Sequence, residues 1–325
     1  MKLLNMNEIS WYNIFLDNLY ERYPKKSQLA EELISLLCIE REAVYRRLRK
    51  EVMFLAHEVV KIAAAWNISL DEIIGIHSGL ISFQMQPLNY IAPSKKEMSN
   101  LQKRVSALEH VKSVSESEYM EVCNKLPRPI HICSLPLYRF EIFKWVYQYN
   151  FEEPYLPYSQ IVIPDMIIHQ FETYQGSIKN FSTSNFILDP MIFDFLVHNI
   201  NYFHSILLIT DEERIHLKSK LHEMLDYLNE LANKGCYPDT LKKVNIYISL
   251  VNINTNYSYY YTDKLKSCRV HAFGKYDICS YDAEMVTTFR TWMNLKKRAS
   301  IQISGVNEKY RIEYFANQRK IVDSL

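Results

Sequence analysis

Apolar residues in the first seventy-five positions recur every three or four residues, in short blocks separated by turn residues. This is the rhythm of amphipathic helices. Met6 to Tyr23 carries Ile9, Tyr12, Ile14, Phe15, Leu16 and Leu19 at helical spacing and is stopped by Pro24. Ser27 is placed to cap a second helix, with Leu29, Ala30, Leu33, Leu36 and Leu37 as its buried side. Cys38-Ile39 makes a turn, and residues 40–50 form a third helix anchored by Ala43, Val44 and Leu48. Ala56 to Trp66 predicts a fourth, buried through Val59, Val60, Ile62, Ala63 and Trp66. The string Ser69-Leu-Asp-Glu72 is a capping box that opens a fifth, and Gly75 ends it.

The pattern beyond is mixed. Residues 76–95, with Pro87 and Pro93, read as a linker. Met98, Leu101, Val105 and Leu108, then Val111 or Lys112, mark a helix over about residues 95–113. Its stripe suits either a dimer seam or packing on its own C-terminal domain. Residues 116–149 keep a helical pattern broken by Pro127, Pro129 and Pro136, and residues 150–188 are irregular, with a strand candidate at 159–163. Asp189-Pro190 begins another helix, and the capping box Thr210-Asp-Glu-Glu213 opens one that runs to Gly235. The period then changes to two. Residues 244–253, 256–261 and 268–281 predict strands of a small antiparallel sheet, before helices return at 283–297 and about 307–322.

Composition narrows the classes. The chain has 325 residues, 48% apolar and 23% charged, with a net charge of +1, so it has room for two or three domains and no global pull toward nucleic acid or membranes. Only six glycines occur, and no GxGxxG or Walker-type string, which counts against nucleotide enzymes. No run of eighteen apolar residues and no secretory segment is present, so no membrane association and a cytoplasmic location are expected. The six cysteines are scattered without a CxxC pair and are expected to be reduced.

The strongest chemical signal is the stretch 37–50. Five cations (Arg41, Arg46, Arg47, Arg49 and Lys50) fall within ten residues on one short predicted helix that follows a turn. Arginine offers a planar fork to guanine and a strong cation to phosphate, which suits an element entering the DNA major groove. The charge is local, because residues 1–76 hold ten Lys and Arg against eleven Asp and Glu, a net −1. Glu40, Glu42 and Glu51 can pair with the arginines, so a solvated helix face is the alternative reading.

Residues 27–75 resemble the helix-turn-helix domain of phage-repressor-type regulators, the Cro/C1 or XRE group. Leu37-Cys38-Ile39-Glu40 stands where that family has Leu-Gly-Ile-Ser, and the run from Glu58 to Gly75 resembles its fourth and fifth helices. The string from Ala43 to Arg49 resembles regulators common in Bacteroidetes genomes, as do Pro127-Arg128-Pro129-Ile130 and Phe143-Lys144-Trp145 more loosely. Two positions depart from the family pattern: Cys38 replaces the turn glycine, and Arg47 stands where an apolar residue is usual.

The expected fold is therefore mainly α with a smaller α+β part. A five-helix repressor-like domain occupies 1–76, a linker with a candidate dimerisation helix 77–114, and a helical domain with a small antiparallel sheet 115–325. The resemblance implies a sequence-specific transcriptional regulator that binds double-stranded DNA as a homodimer. Gln28 would touch phosphate; Glu40, Arg41, Glu42, Tyr45 and Arg46 would reach base edges; Arg49 and Lys50 would hold the flanking backbone. The alternative is a protein-interaction or phage-defence factor whose helix-turn-helix contacts a protein.

Elsewhere the signals are weaker. Tyr257, Tyr259 and Tyr261 alternate on one strand face, where they either stack an unidentified small-molecule effector or cover the sheet. His131 and Cys133 form half a metal site without a second pair, so no metal is expected, nor any cofactor. No nucleophile motif occurs, and the chain is not expected to be an enzyme.

Overall fold

The first four helical blocks fold as the periodicity predicts. In the computed structural model, which describes residues 8–23, 25–66, 68–70, 73, 81, 83–149, 155–272 and 276–325, the chain divides into a unit Met1–Leu80 and a unit Ile81–Leu325. The first holds α1 (Glu8–Arg22), α2 (Lys26–Leu37), α3 (Arg41–Leu48) and α4 (Ala56–Trp66). Tyr12, Phe15, Leu16, Leu29, Leu33, Val44 and Ile62 close a single core between them. The second helix starts two residues early: Lys25 is its N-cap and makes no side-chain capping bond, so Ser27 does not serve as the cap. Val60 points outward, 58% exposed, although it was expected inside. The fifth helix and Gly75 lie largely outside the described residues.

The second unit corrects the expected fold. Its sheet is neither small nor purely antiparallel; among the described residues it has eight strands in mixed orientation. The elements in chain order are β1 (Gln84–Gln86), α5 (Lys95–Glu109), β2 (Glu118–Cys123), α6 (Arg128–His131), α7 (Leu135–Tyr149), α8 (Asp165–Ile178), β3 (Thr183–Leu188), α9 (Ile192–Ser205), α10 (Asp211–Lys234), β4 (Lys243–Ser249), β5 (Tyr257–Tyr261), β6 (Lys266–Ala272), β7 (Tyr276–Ser280), α11 (Ala283–Lys296), β8 (Ser300–Gln302) and α12 (Glu308–Asp323). The spatial order is β1-β7-β6-β5-β2-β3-β4-β8. β2, β3 and β4 run parallel, joined by helical crossovers, and all other pairings are antiparallel.

The order β2, β3, β4 advances steadily in one direction, so crossovers of the usual hand deliver their helices to one face. There α5 and α7–α10 pack with α12 over Tyr119, Phe186, Val244, Ile246 and Tyr260. The opposite face is covered among the described residues chiefly by α11, through Val286, Phe289 and Met293 against Met120, Ile187 and Tyr259. β2 and β3 were invisible to periodicity because five of six residues in each are buried, on both faces, and strands buried twice do not alternate. The expected strand at 159–163 is instead a 3₁₀ turn, Tyr158–Gln160. Two capping expectations hold: Thr210 and Glu213 exchange bonds at the start of α10, and Gly235 ends it at φ 66°.

The apolar stripe of α5 is turned inward. Met98, Leu101, Val105, Leu108 and Val111 are all buried in the core of this unit, which is the packing alternative to a dimer seam.

Candidate functional site

The turn between α2 and α3 depends on Cys38. It closes α2 in the left-handed region, φ 55° and ψ 44°, and its N–H donates to the Ile34 carbonyl at 2.9 Å. This is the position that glycine usually takes, and a residue with a Cβ bears steric cost there. α3 then begins at Arg41, with Val44 and Leu48 buried and Gln28, Glu40, Arg41, Glu42, Arg46, Arg49 and Lys50 exposed, while Tyr45 is half-buried.

The cations on this surface differ in their freedom. Arg49 is held by Glu51 and Glu42, each at 2.7 Å, and Arg46 lies 3.5 Å from Glu51. Lys50, at φ 65°, donates to Asn13 at 2.5 Å. Arg41 makes no ion pair among the described residues and lies over the Tyr45 ring at 5.9 Å. Arg47 is instead largely withdrawn from the surface, with 13% of its side chain exposed. It donates through Nε and Nη2 to the buried carboxylate of Glu58, at 2.8 and 2.9 Å, through Nη1 to the Ala43 carbonyl, and packs over Phe54. At position 47 a charged pair thus joins α3 to the start of α4.

A second concentration of chemistry lies in the larger unit, on the helix-covered face of the sheet. Strand register sets Glu121, Ser258 and Arg269 in one row across β2, β5 and β6, and pairs His271 with Asp277 one step on. Arg128, at the start of α6, donates to Asp277 through Nη1 and Nη2 at 2.7 and 3.1 Å; His271 Nδ1 and Arg269 Nη1 lie 3.2 and 3.6 Å from the same carboxylate. Burial alone would raise Asp277, but Arg128, His271 and Arg269 together hold it well below the usual carboxylate range. Glu121 goes the other way. Burial raises it, against the opposing bonds that Tyr119 Oη (2.7 Å) and the Arg128 N–H (3.3 Å) donate to it.

These groups surround a cavity of about 90 Å³, completed by the ion pair of Lys125 and Glu141 (2.6 Å) and by His131. The His131 ring is buried against the edge of Tyr138, its Nε2 has no hydrogen-bond partner among the described residues, and burial pushes it down to about 4. A smaller chamber of about 40 Å³ adjoins it and shares Tyr90, Arg128, Tyr174, Arg269 and Asp277. Of these residues the sequence draws attention to His131, as half of a metal site, and to Arg128 within Pro127–Ile130, but to neither as part of a buried polar cluster. The lining residues come from β2, β5, β6 and β7, from α6, α7 and α8 and from the loops at Tyr90 and Lys125, and the local hint is the density of charged residues on strands that otherwise read as buried.

The tyrosines of β5 divide between the two faces. Tyr257, Tyr259 and Tyr261 share the α11 face, as their alternation implies. Tyr259 is fully buried and accepts from Asn294 at 3.3 Å; Tyr257 meets Trp292 edge-on at 4.9 Å; Tyr261 carries Arg290 over its ring at 4.3 Å. Tyr260 is the one that turns toward the polar chambers, stacked on Tyr119 and bonded to the Tyr174 hydroxyl at 3.0 Å.

Where α11 does not reach, the sheet is polar. Asn185 donates to Glu118 at 3.1 Å and Asn245 to Asn185 at 3.0 Å, while Arg290 donates to Glu118 from above, lining an open cleft. Among the described residues no three His, Cys, Asp or Glu side chains converge as metal ligands, and no helix is long and apolar enough to cross a membrane. Burial pushes the Cys123 and Cys133 thiols up, and that of Cys268 up to about 11, so none of the three is an activated nucleophile. Compared with protein-family models, with curated proteins and with solved structures, the chain finds no match.

Proposed function

We propose that the chain is a cytosolic, sequence-specific DNA-binding regulator of the helix-turn-helix type, acting as a dimer, with α3 as the element that enters the major groove. The observation that supports this reading is the pairing of a left-handed turn at Cys38 with an α3 whose buried side is Val44 and Leu48 and whose outer start is Arg41 and Arg46. An arginine exposed at the first turn of a recognition helix is positioned to donate two bonds to guanine. Gln28 and the start of α2 would meet phosphate. Arg49 and Lys50 would do the same only after releasing Glu42, Glu51 and Asn13.

Genome-wide recovery of DNA with the purified protein tests the reading. An enriched site that is lost with Arg46→Ala supports it, and absence of any enriched site refutes it.

A second reading has its own observation. Val52, Met53 and Leu55 in the α3–α4 connection, with Val60 on α4, leave apolar surface exposed beside the basic helix. A protein-interaction or phage-defence factor would use such a surface. Salt separates the two: DNA binding weakens steeply as salt rises, and an apolar contact does not.

A further inference from the structure

The smaller chamber in the larger unit has a charge imbalance. Among the described residues its wall carries three guanidinium groups, from Arg104 on α5, Arg128 on α6 and Arg269 on β6, and one carboxylate, Asp277. Arg128 and Asp277 neutralise one another through two hydrogen bonds, so Arg104 and Arg269 remain without a full counter-charge. Among the described residues Arg104 donates only to the neutral amide of Gln86, and Arg269 reaches Asp277 no closer than 3.6 Å. The Nε atoms of both arginines are enclosed and lack a hydrogen-bond partner among the described residues. A buried unpaired cation is costly in a folded chain unless something completes it.

The chamber also holds donors. Tyr174 and Tyr260 bond to each other, which uses one hydroxyl proton and leaves the second without an acceptor among the described residues. At about 40 Å³ the space exceeds the roughly 10–15 Å³ that one water needs, yet falls far short of the roughly 150 Å³ that takes up a benzene ring. Guanidinium forks and a phenol proton around a space of that size match a tetrahedral oxyanion, whose oxygens accept several N–H bonds at once. The adjoining 90 Å³ chamber, bordered by Glu121, His131, Tyr138 and Glu141, leaves room for a short polar substituent.

We propose that this chamber binds a compact dianionic oxyanion of the phosphate class, either inorganic phosphate or the head of a small phosphate monoester, between Arg104, Arg269 and the Tyr174–Tyr260 pair. Burial, with Arg269 close by, pushes the Arg104 guanidinium below its ordinary value, whereas at Arg269 the effect of burial is outweighed by its neighbours, Asp277 among them, so that Arg104 is the cation lacking a partner. The inference stands whether or not α3 binds DNA.

The test is thermal unfolding and calorimetry of the full chain titrated with inorganic phosphate, and separately with glycerol phosphate, against potassium chloride at matched ionic strength. Phosphate is expected to raise the melting temperature, and Arg269→Gln to weaken phosphate affinity by about tenfold or more. Without phosphate, Arg104→Gln should melt no lower than the wild type, because Arg104 has no carboxylate partner among the described residues. A larger response to glycerol phosphate identifies a monoester; an equal response identifies the free ion. Should Arg269→Gln fail to fold, Arg104→Gln gives the same reading, and Arg104→Lys should restore part of the affinity. No response to either phosphate, or an undiminished response in the folded variants, overturns the proposal.

Discussion

Arg47 donates two hydrogen bonds to Glu58, from Nε at 2.8 Å and from Nη2 at 2.9 Å, so the central arginine of the basic run is committed to the helical core. Glu58 Oε2 also accepts from the Leu55 N–H at 2.8 Å, which ties the start of α4 to the same carboxylate. A cation that the sequence groups with its neighbours is thereby separated from them by packing.

Breaking this pair from one side should unfold the smaller unit readily. Glu58→Ala strands a largely buried guanidinium and is expected to cost about 3–5 kcal/mol, whereas the double change Arg47→Met with Glu58→Leu should be close to neutral. Urea unfolding followed by hydrogen exchange of the α3 amides measures both. Equal losses in the single and double variants would show that the stranded guanidinium carries no penalty of its own.

Cys38 offers a gain instead. Cys38→Gly relieves a left-handed residue at the α2 C-terminus and should stabilise the unit by roughly 0.5–1 kcal/mol, after the larger entropy of the unfolded glycine is deducted. Cys38→Val, β-branched at the same φ, should destabilise it. Chemical denaturation of the three proteins side by side gives the order.

If α3 binds DNA, its glutamates restrain it. Glu51→Gln frees Arg46, leaves Arg49 held by Glu42 alone, and should raise affinity for non-specific duplex, with the slope of log K against log salt steepening by about 1. Arg46→Ala should cost about 1–3 kcal/mol if it reads a base, and relax specificity at that base. Filter binding on a panel of operators distinguishes loss at one base from uniform loss.

His131 makes the larger unit acid-sensitive. Its folded value is pushed down to about 4 by burial, below the ordinary 6.5, so the unfolded chain takes up a proton first as the pH falls. Its contribution is fully present above about pH 6.5 and disappears progressively toward pH 4, amounting to about 2 kcal/mol by pH 5. His131→Phe keeps an aromatic ring against Tyr138 and should flatten this part of the profile. A slope unchanged by the substitution would assign it to Glu141 or Asp277.

The α5 stripe makes a claim about assembly. Leu101→Ala should destabilise the larger unit by about 2–5 kcal/mol through a core cavity and leave the oligomeric state unchanged, because Leu101 faces the unit's own core. Analytical ultracentrifugation alongside urea unfolding reads both, and dissociation without destabilisation would place a dimer contact there.

Much of the smaller unit was legible in the chain, because an amphipathic helix repeats its apolar residues locally: α1 to α4 and the turn at Cys38 sit where the spacing put them. The caps at Thr210 and Gly235 were legible for the same reason. The parallel strands β2 and β3 were not, since the helices that bury both their faces are supplied from distant parts of the chain. The chambers between Arg128, Arg269 and Asp277 were not either. Arg128 and Asp277 are separated by 149 positions, and no periodicity links residues that meet only when β7, β6, β5 and β2 align. The sequence alone determined the local periods and the turn chemistry. Which charges pair, which remain uncompensated and which faces are covered were decided by the tertiary structure, because burial and electrostatic pairing depend on distance in space and not along the chain.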